Sequence, residues 1–163
     1  MSKNILIQNG RLINPANQTD GIYDILIQNN IISDISNHIQ PNNNFEIIDA
    51  TNKIVVPGFI DLHCHLREPG QEFKETVATG TLAGAAGGFT TLCAMPNTIP
   101  PIDSKPHIES LSNISKETGA IRVLPIASAT MKSEGKILTE MFELADAGAI
   151  GFSDDGNPIY DPF

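Results

Sequence analysis

Tryptophan is absent from this sequence, and aromatic residues make up only 6% of its 163 residues. Cysteine is almost as scarce, because the chain has only Cys64 and Cys93. Two cysteines cannot build the disulfide framework of a small secreted domain, and both lie in apolar segments, where reduced thiols pack as small core residues. These features indicate a protein of a reducing compartment, and we expect it in the cytoplasm.

Long apolar runs are also lacking. No segment approaches the roughly 18 residues that a membrane-spanning helix needs, and the first residues do not have the pattern of a signal peptide. The 10 Lys and Arg residues are outnumbered by 19 Asp and Glu residues, which gives a net charge of -9. Because phosphate backbones recruit Lys and Arg, we expect neither a nucleic-acid partner nor a membrane. A small anionic substrate is compatible with this charge, since one arginine can dominate the local field.

Hydrophobic residues nevertheless make up 40% of the chain, which excludes a disordered segment. Residues 1–56 contain short β-branched runs separated by turn residues such as Asn9-Gly10 and Asn14-Pro15. This pattern is typical of hairpins and predicts a small β-sheet or sandwich segment. The predicted strands cover residues 5–7, 11–13, 23–27, 31–32 and 46–48.

From residue 57 onward, predicted strands alternate with predicted helices. This alternation implies a parallel sheet with right-handed crossovers, built either as an open doubly wound sheet or as a (β/α)8 barrel. Both folds place active sites at the carboxyl ends of the strands. The predicted strands cover residues 59–62, 89–94, 121–126 and 149–152. The predicted helices cover residues 73–86, a segment from Asp103-Ser104 to Gly119 and a segment from Ile137 to Gly148, and a further helix is predicted to begin at Asp161-Pro162.

Two histidines, His63 and His65, end the first strand of the alternating part. Side chains two residues apart on a strand point the same way, so both imidazoles project to one face. Neutral imidazole is a common zinc ligand, and two imidazoles on one face can share a metal ion. Taken alone, however, a His-x-His pair is also typical of an ordinary loop.

The segment around this pair, from Pro57 to Gly70, resembles the amidohydrolase superfamily and most closely the dihydroorotases. The resemblance implies that residues 57–163 form the first four βα units of a metal-dependent (β/α)8 barrel, preceded by the small β-rich segment. It also implies that His63 and His65 bind the catalytic metal, which we expect to be Zn²⁺.

A clamp for a substrate carboxylate is the second implication of the resemblance. It assigns one half of the clamp to Arg67, whose planar guanidinium suits a carboxylate, although without the resemblance a pair with Glu68 would be the simpler interpretation. It assigns the other half to Asn97 in the segment Met95-Pro96-Asn97-Thr98, which by itself is typical of a turn. Hydantoinases and allantoinases usually differ at this segment, so it favours dihydroorotate as the substrate.

The fourth strand is followed by a pair of acidic residues, Asp154 and Asp155. Taken alone, such a pair before a glycine is equally typical of helix capping. In the superfamily this strand supplies either a carboxylated lysine or an aspartate as a metal ligand, and no lysine follows Lys136 here. The resemblance therefore implies an aspartate ligand. Counting residues forward from His63 without gaps matches the family's ligand position to Asp155. A shift of one residue in this alignment, which would make Asp154 the ligand, is left open.

The function implied by the resemblance is the reversible, zinc-dependent ring closure of N-carbamoyl-L-aspartate to L-dihydroorotate in pyrimidine biosynthesis. The alternatives left open are another cyclic amidase, such as a hydantoinase or allantoinase, and a non-catalytic partner of aspartate carbamoyltransferase. The family's further histidine ligands and its aspartate base have no counterpart in this chain. No catalytic base is therefore assigned.

Four strands supply only half of an eight-stranded barrel. If ten large apolar residues face the missing half, their exposure would cost about 15–30 kcal/mol, at roughly 1.5–3 kcal/mol each. A whole domain is stable by only about 5–15 kcal/mol. We therefore expect that the chain belongs to a longer product, or that a second copy in a homo-oligomer or another partner covers its open face. The remaining histidines, His38 and His107, are expected to be surface or capping residues.

Overall fold

A computed structural model describes residues 4–160, which divide into two compact units, one ending at Pro57 and one beginning at Gly58. The helix predicted to begin at Asp161-Pro162 lies outside the described residues. No helix in the described range is both long and apolar enough to cross a membrane.

The first unit is a five-stranded sheet in the order β3-β2-β1-β4, with β5 also pairing with β1. Strands β1, β2 and β3 are antiparallel neighbours, whereas β4 and β5 run parallel to β1. The sheet confirms the predicted small β-rich segment. Its strands are β1 (Asn4–Asn14), β2 (Thr19–Gln28), β3 (Ile31–Ser36), β4 (Phe45–Asp49) and β5 (Ile54–Val55), and a short 3₁₀ turn spans Pro15–Asn17.

The prediction of two separate strands before residue 14 is wrong, because β1 continues through Asn9 and Gly10. The register with β2 shifts between Ile7 and Gly10, so the expected turn is a β-bulge. Asn9 has a positive φ of 61°, a conformation that asparagine tolerates, and its N–H donates to a carboxylate oxygen of Asp24 at 2.9 Å. Turn-forming residues are thus accommodated inside a strand because a distant side chain accepts the unpaired amide.

The second unit alternates strands and helices, as the sequence predicts. Its four strands are all parallel and lie in the order of the chain, β6-β7-β8-β9. This confirms the α/β class. The elements are β6 (Phe59–Cys64), α1 (Val77–Ala86), β7 (Phe89–Ala94), α2 (Lys105–Thr118), β8 (Arg122–Ala127), a 3₁₀ turn (Met131–Ser133), α3 (Met141–Asp146) and β9 (Gly151–Phe152).

Helix α1 begins later than predicted, at Val77 instead of residue 73. Thr76 has extended backbone angles, and its hydroxyl accepts from the N–H of Thr79, while the Thr79 hydroxyl accepts from the N–H of Thr76. This reciprocal capping box fixes the first turn. Phe73, which had been included in the apolar face, is 84% exposed.

Helix α3 is also shorter than predicted and spans only Met141–Asp146. The carbonyl of Ile137 accepts a hydrogen bond from the N–H of Met131 at 2.8 Å, and Leu138 forms an isolated bridge with Thr130. Those contacts hold residues 137 and 138 in an extended loop, so Ile137 does not belong to the helix.

Helices α1 and α2 cover one face of the parallel sheet. The predicted apolar face of α2 is confirmed at Ile108 and Leu111, which are 0% and 1% exposed. Two apolar clusters form the core of this unit, and their buried members are Leu66, Val77, Leu92, Ala94 and Leu111 in one and Ile102, Ile108, Ala127 and Leu144 in the other. This packing fixes the strands, so the polar segments after β6, β7 and β9 are presented at their carboxyl ends.

Candidate metal centre

His63 and His65 lie together at the carboxyl end of β6. His63 is within the strand and His65 follows its last residue, Cys64. Their ring centroids are 5.2 Å apart, with the ring planes at 78° to each other. The strand alternation therefore brings both imidazoles to one place, as the spacing of two residues predicts.

Asp155 joins the two histidines from the end of β9. One of its carboxylate oxygens lies 3.3 Å from Nε2 of His63, and the other lies 3.6 Å from Nε2 of His65. In a flat sheet, strands β6 and β9 would be about 14 Å apart, since neighbouring strands are spaced by about 4.8 Å. The contact is explained by a curled sheet, whose outer strands turn their carboxyl ends toward each other.

The adjacent carboxylate of Asp154 is occupied elsewhere. It is buried, and it accepts hydrogen bonds from the N–H of Thr130, at 2.9 Å, and from the Thr130 hydroxyl. These bonds tie the end of β9 to the loop after β8. The slip to Asp154 that the sequence left open is therefore not supported by the geometry, which places Asp155 with the histidines.

The three side chains fit a zinc ion. Two imidazole nitrogens and one carboxylate oxygen are a common donor set for catalytic zinc, and one such atom from each of His63, His65 and Asp155 lies within 4.8 Å of the others. Tetrahedral zinc with bonds of about 2.0–2.2 Å separates its donors by roughly 3.3–3.6 Å. The two histidine–carboxylate distances, one to each oxygen of Asp155, are of that size, and a fourth position would stay open.

Cys64, between the two histidines, does not belong to this donor set. Burial, together with the nearby negative charge of Asp61, raises the pKa of the Cys64 thiol to about 12. The residue packs against the apolar cluster beneath α1 instead. A thiol that stays protonated is a poor metal ligand, so the sulfur serves as core packing.

Asn97 lies between the ligand candidates. Its Oδ1 is 3.0 Å from Nδ1 of His65, and its Nδ2 donates to Oδ2 of Asp155 at 2.9 Å. The side chain predicted to hold a substrate carboxylate is thus in direct contact with two predicted metal ligands. Nothing in the local sequence indicates this, because the three residues belong to three different strand ends.

Arg67 follows His65 by two residues, and it is half-buried. Among residues 4–160 its guanidinium has no ion-pair partner. The carboxylate of Glu68 accepts instead from the N–H of Val77, at 2.8 Å, where it serves the first turn of α1. The pairing of Arg67 with Glu68 that sequence alone would favour is therefore not formed.

The loops that carry Arg67 and Asn97 are joined to each other. The N–H of Ile99 donates to the carbonyl of Pro69 at 3.0 Å, and the amide of Gln71 donates to the carbonyl of Asn97 at 3.1 Å. Gly70, with a φ of 90°, packs so closely on Ile99 that an added Cβ would lie 2.8 Å from the Ile99 Cβ. Gln71 was missed by sequence reasoning, because only its position in the folded chain reveals the contact.

The other two histidines are not part of the site. His107 lies in the first turn of α2, where Nδ1 is 3.0 Å from the Ser104 hydroxyl and 3.2 Å from the Asp103 carboxylate. His38 belongs to the first unit, and its side chain is 70% exposed. An open cleft of about 600 Å³ borders the site and is lined by Ala129 and residues 152–159, a volume suited to a small molecule.

Residues 52–160 match the protein family described as dihydro-orotase-like. This match covers more than half of the chain, and the chain belongs to that family. It is 47% identical over 159 residues to a dihydroorotase of Sulfurihydrogenibium sp. (strain YO3AOP1) and 47% identical over 156 residues to one of Elusimicrobium minutum (strain Pei191). These alignments include 98% and 96% of this chain but only 38% and 36% of the two relatives.

Solved structures with a similar fold include hydantoinases. An L-hydantoinase from Arthrobacter aurescens superposes with a TM-score of 0.77 at 23% identity, over 91% of this chain and 32% of that protein. A D-hydantoinase from Thermus sp. superposes with a TM-score of 0.65 at 27% identity, over 78% of this chain and 28% of that protein. These likenesses confirm the predicted fold, half of a (β/α)8 barrel preceded by a small sheet.

Proposed function

We propose that the protein is a dihydroorotase, which interconverts L-dihydroorotate and N-carbamoyl-L-aspartate with the help of zinc. The chain spans less than two fifths of the length of the relatives named dihydroorotase, so the activity is proposed for the whole protein that contains it. The observation that carries the proposal is the convergence of His63, His65 and Asp155 from two strand ends, in a chain of this family.

In this proposal His63, His65 and Asp155 hold the zinc. Zinc at such a site supplies Lewis acidity toward a carbonyl oxygen and lowers the pKa of water. The protein's own contribution is to orient the substrate. The Arg67 guanidinium, which has no acidic partner among the described residues, binds the substrate carboxylate, and the amide of Asn97 supplies a second donor to it. Two fixed contacts to one carboxylate leave the ring little rotational freedom, which favours one reacting geometry.

A second candidate function is ring opening of hydantoins. It is favoured by the fold likeness to the D-hydantoinase of Thermus sp. at 27% identity. Against it stand the higher identity to relatives named dihydroorotase and the lack of an acidic partner for Arg67 among residues 4–160, since a hydantoin ring need not carry a carboxylate.

The experiment is a substrate panel on the purified, zinc-loaded, full-length protein. L-dihydroorotate, hydantoin and allantoin are supplied at equal concentration, and the loss of the ring amide is followed by chromatography. We expect turnover of L-dihydroorotate alone, with His107→Ala as a control that retains it. Preferential turnover of hydantoin or allantoin would contradict the proposal, and so would inactivity of the zinc-loaded protein on every ring.

The proposal places the reaction in pyrimidine biosynthesis and in the cytoplasm, in keeping with the free thiols of Cys64 and Cys93. It also includes a protein partner, which is either a second copy of the chain or aspartate carbamoyltransferase. Apolar side chains such as Leu62 and Phe142, which are 72% and 91% exposed, would be covered by the rest of the whole protein or by such a partner. Sedimentation of the full-length protein, alone and mixed with aspartate carbamoyltransferase, tests both partners. A protein that stays monomeric and does not bind the transferase would contradict this part of the proposal.

A further inference from the structure

The amide of Asn97 has a hydrogen-bond partner at each end. Its oxygen lies 3.0 Å from Nδ1 of His65, and its nitrogen lies 2.9 Å from a carboxylate oxygen of Asp155. His65 and Asp155 come from the ends of β6 and β9, which have two strands between them in the sheet, and Asn97 follows one of these, β7. One side chain therefore bridges two of the three candidate metal ligands.

The direction of these hydrogen bonds follows from the carboxylate. An ionised Asp155 can only accept, so the atom of Asn97 that faces it must be the NH₂ group. The amide oxygen of Asn97 then faces His65 and can only accept as well. Nδ1 of His65 must carry the proton. In a neutral imidazole this leaves the lone pair on Nε2, which is the nitrogen that faces Asp155.

We infer that Asn97 is a positioning residue that selects the Nδ1–H tautomer of His65 and holds the Asp155 carboxylate in place for the metal. This rests on the metal centre of the proposed function. Free histidine favours the other tautomer, in which Nε2 carries the proton and cannot bind a metal. A hydrogen bond from the second ring nitrogen is the usual means by which proteins fix and orient a histidine ligand.

The backbone around Asn97 is held in place independently. The N–H of Thr98 donates to the carbonyl of Pro96 at 2.8 Å, and the Thr98 hydroxyl donates to the carbonyl of Pro100 at 2.7 Å. The Gln71 amide binds the carbonyl of Asn97 itself. The side chain thus projects from a rigid turn, so its two contacts are formed before any ligand binds.

Positioning does not exclude the proposed contact with substrate. A primary amide has two N–H donors and an oxygen with two lone pairs, and the bonds to His65 and Asp155 use one of each. The second N–H of Asn97 can still donate to a substrate carboxylate. One residue would then join the metal ligands to the substrate clamp, so that loss of its amide affects both.

The tautomer is measured by ¹⁵N–¹H correlation spectroscopy of histidine-labelled, metal-free, full-length protein, with His65→Gln to assign the signals. We expect Nδ1 of wild-type His65 to carry a proton, and we expect this preference to be lost in Asn97→Ala. A wild-type His65 without a proton on Nδ1 would overturn the inference, as would an unchanged Nδ1 signal in Asn97→Ala.

Zinc affinity is the second measurement, made by competition with a chromophoric chelator. Loss of an outer-shell partner typically weakens metal binding about 10- to 100-fold, and we expect that loss in Asn97→Ala. Asn113→Ala, the same substitution at an exposed position of α2, serves as the control and should bind zinc as the wild type does. Equal affinity in Asn97→Ala and wild type would overturn the inference. Inactivity on dihydroorotate would instead overturn only the proposed function, since neither measurement uses turnover.

Discussion

Each unit of this protein places an aspartate beside a histidine, yet the two arrangements differ in purpose. In the first unit Asp24 lies 3.7 Å from His38 and is 2% exposed. Its oxygens accept from the N–H groups of Asn9 and Ile39, each at 2.9 Å, and from the amide of Gln8 at 3.3 Å. The carboxylate is saturated by its own sheet and by the segment after β3.

In the second unit Asp155 faces two imidazole nitrogens, and its side chain is 19% exposed. Its only other side-chain partner among the described residues is the Asn97 amide. The difference shows that the distance between a carboxylate and a histidine does not identify a site. What identifies a site is how the carboxylate oxygens are used. At Asp24 they accept hydrogen bonds from backbone N–H groups, whereas at Asp155 they face the nitrogens of two histidines.

The largest effect is expected from removing both imidazoles. His63→Ala/His65→Ala should abolish stoichiometric zinc binding and activity, because one carboxylate cannot retain the ion. Zinc content is measured by mass spectrometry after gel filtration, and His107→Ala should keep the wild-type content. Equal zinc content in the double variant and the wild type would contradict the proposal that His63 and His65 bind zinc in the second unit.

Asp154 and Asp155 are adjacent in the sequence but have different partners, so substitutions at the two positions compare a structural carboxylate with a proposed metal ligand in one unit. Asp155→Asn should weaken zinc binding by more than the 10- to 100-fold typical of an outer-shell loss, with little change in stability. Asp154→Asn should do the reverse and lower the free energy of unfolding by about 1–3 kcal/mol, because an amide oxygen can accept from the N–H or from the hydroxyl of Thr130 but its NH₂ group cannot accept from the other. Chelator competition and urea unfolding measure the two quantities. The same change in both variants would contradict the assignment.

Asp24→Asn should destabilise the protein without affecting zinc. The new amide has only one acceptor oxygen, so its NH₂ group would face the N–H of either Asn9 or Ile39, and we expect a loss of about 3 kcal/mol in the free energy of unfolding. Asp20→Asn is the matched control, since Asp20 is an exposed partner of Arg11 on the same strand as Asp24 and its loss should matter far less. Reduced zinc binding in Asp24→Asn would show that Asp24 also serves the site.

A smaller effect is expected at Arg67. Lysine keeps the charge but loses the planar pair of donors, so Arg67→Lys should raise KM about tenfold, which corresponds to one charge-assisted hydrogen bond. Zinc content should not change. Steady-state kinetics on L-dihydroorotate, with metal analysis of the same sample, separates a substrate clamp from a metal role. An unaltered KM would contradict the clamp.

The smallest and most gradual effect is that of acid on the first unit. Burial by itself would raise the pKa of Asp24, but hydrogen bonds from Ile39, Asn9 and Gln8 outweigh it and lower the pKa below its usual value. A carboxylate with a depressed folded pKa stabilises the fold above its unfolded pKa of about 3.9, and that contribution is lost as the pH falls toward the folded value. Wild type should therefore lose stability below about pH 4 more steeply than Asp24→Asn. Parallel curves would contradict this account.

One part of the metal centre could be predicted from a general rule, because alternation on a strand places His63 and His65 on one face. The third ligand candidate, Asp155, was implied only by the family resemblance. The carboxyl ends of β6 and β9 meet because the sheet curls, which local sequence does not reveal. The class of fold, in contrast, followed from the order of strands and helices.

The features that were not predicted depend on contacts between distant residues. The bulge at Asn9 exists because Asp24, fifteen positions away, accepts its amide. Asp154 differs from Asp155 because the N–H and the hydroxyl of Thr130, which lies in another loop, donate hydrogen bonds to the Asp154 carboxylate. Helix α1 was extended to Phe73 because an apolar residue at helical spacing resembles a buried one, and only the cap at Thr76 shows where the helix begins.

The close packing of Gly70 on Ile99, with the hydrogen bond from Ile99 to Pro69, has a practical consequence for protein engineering. These contacts pack residues 66–74 directly against residues 95–102. We therefore expect steric clashes in a chimera that takes only one of the two segments from a relative. Exchange of both together preserves the fit. A chimera designed to change which ring substrate the protein accepts should therefore exchange the two segments together.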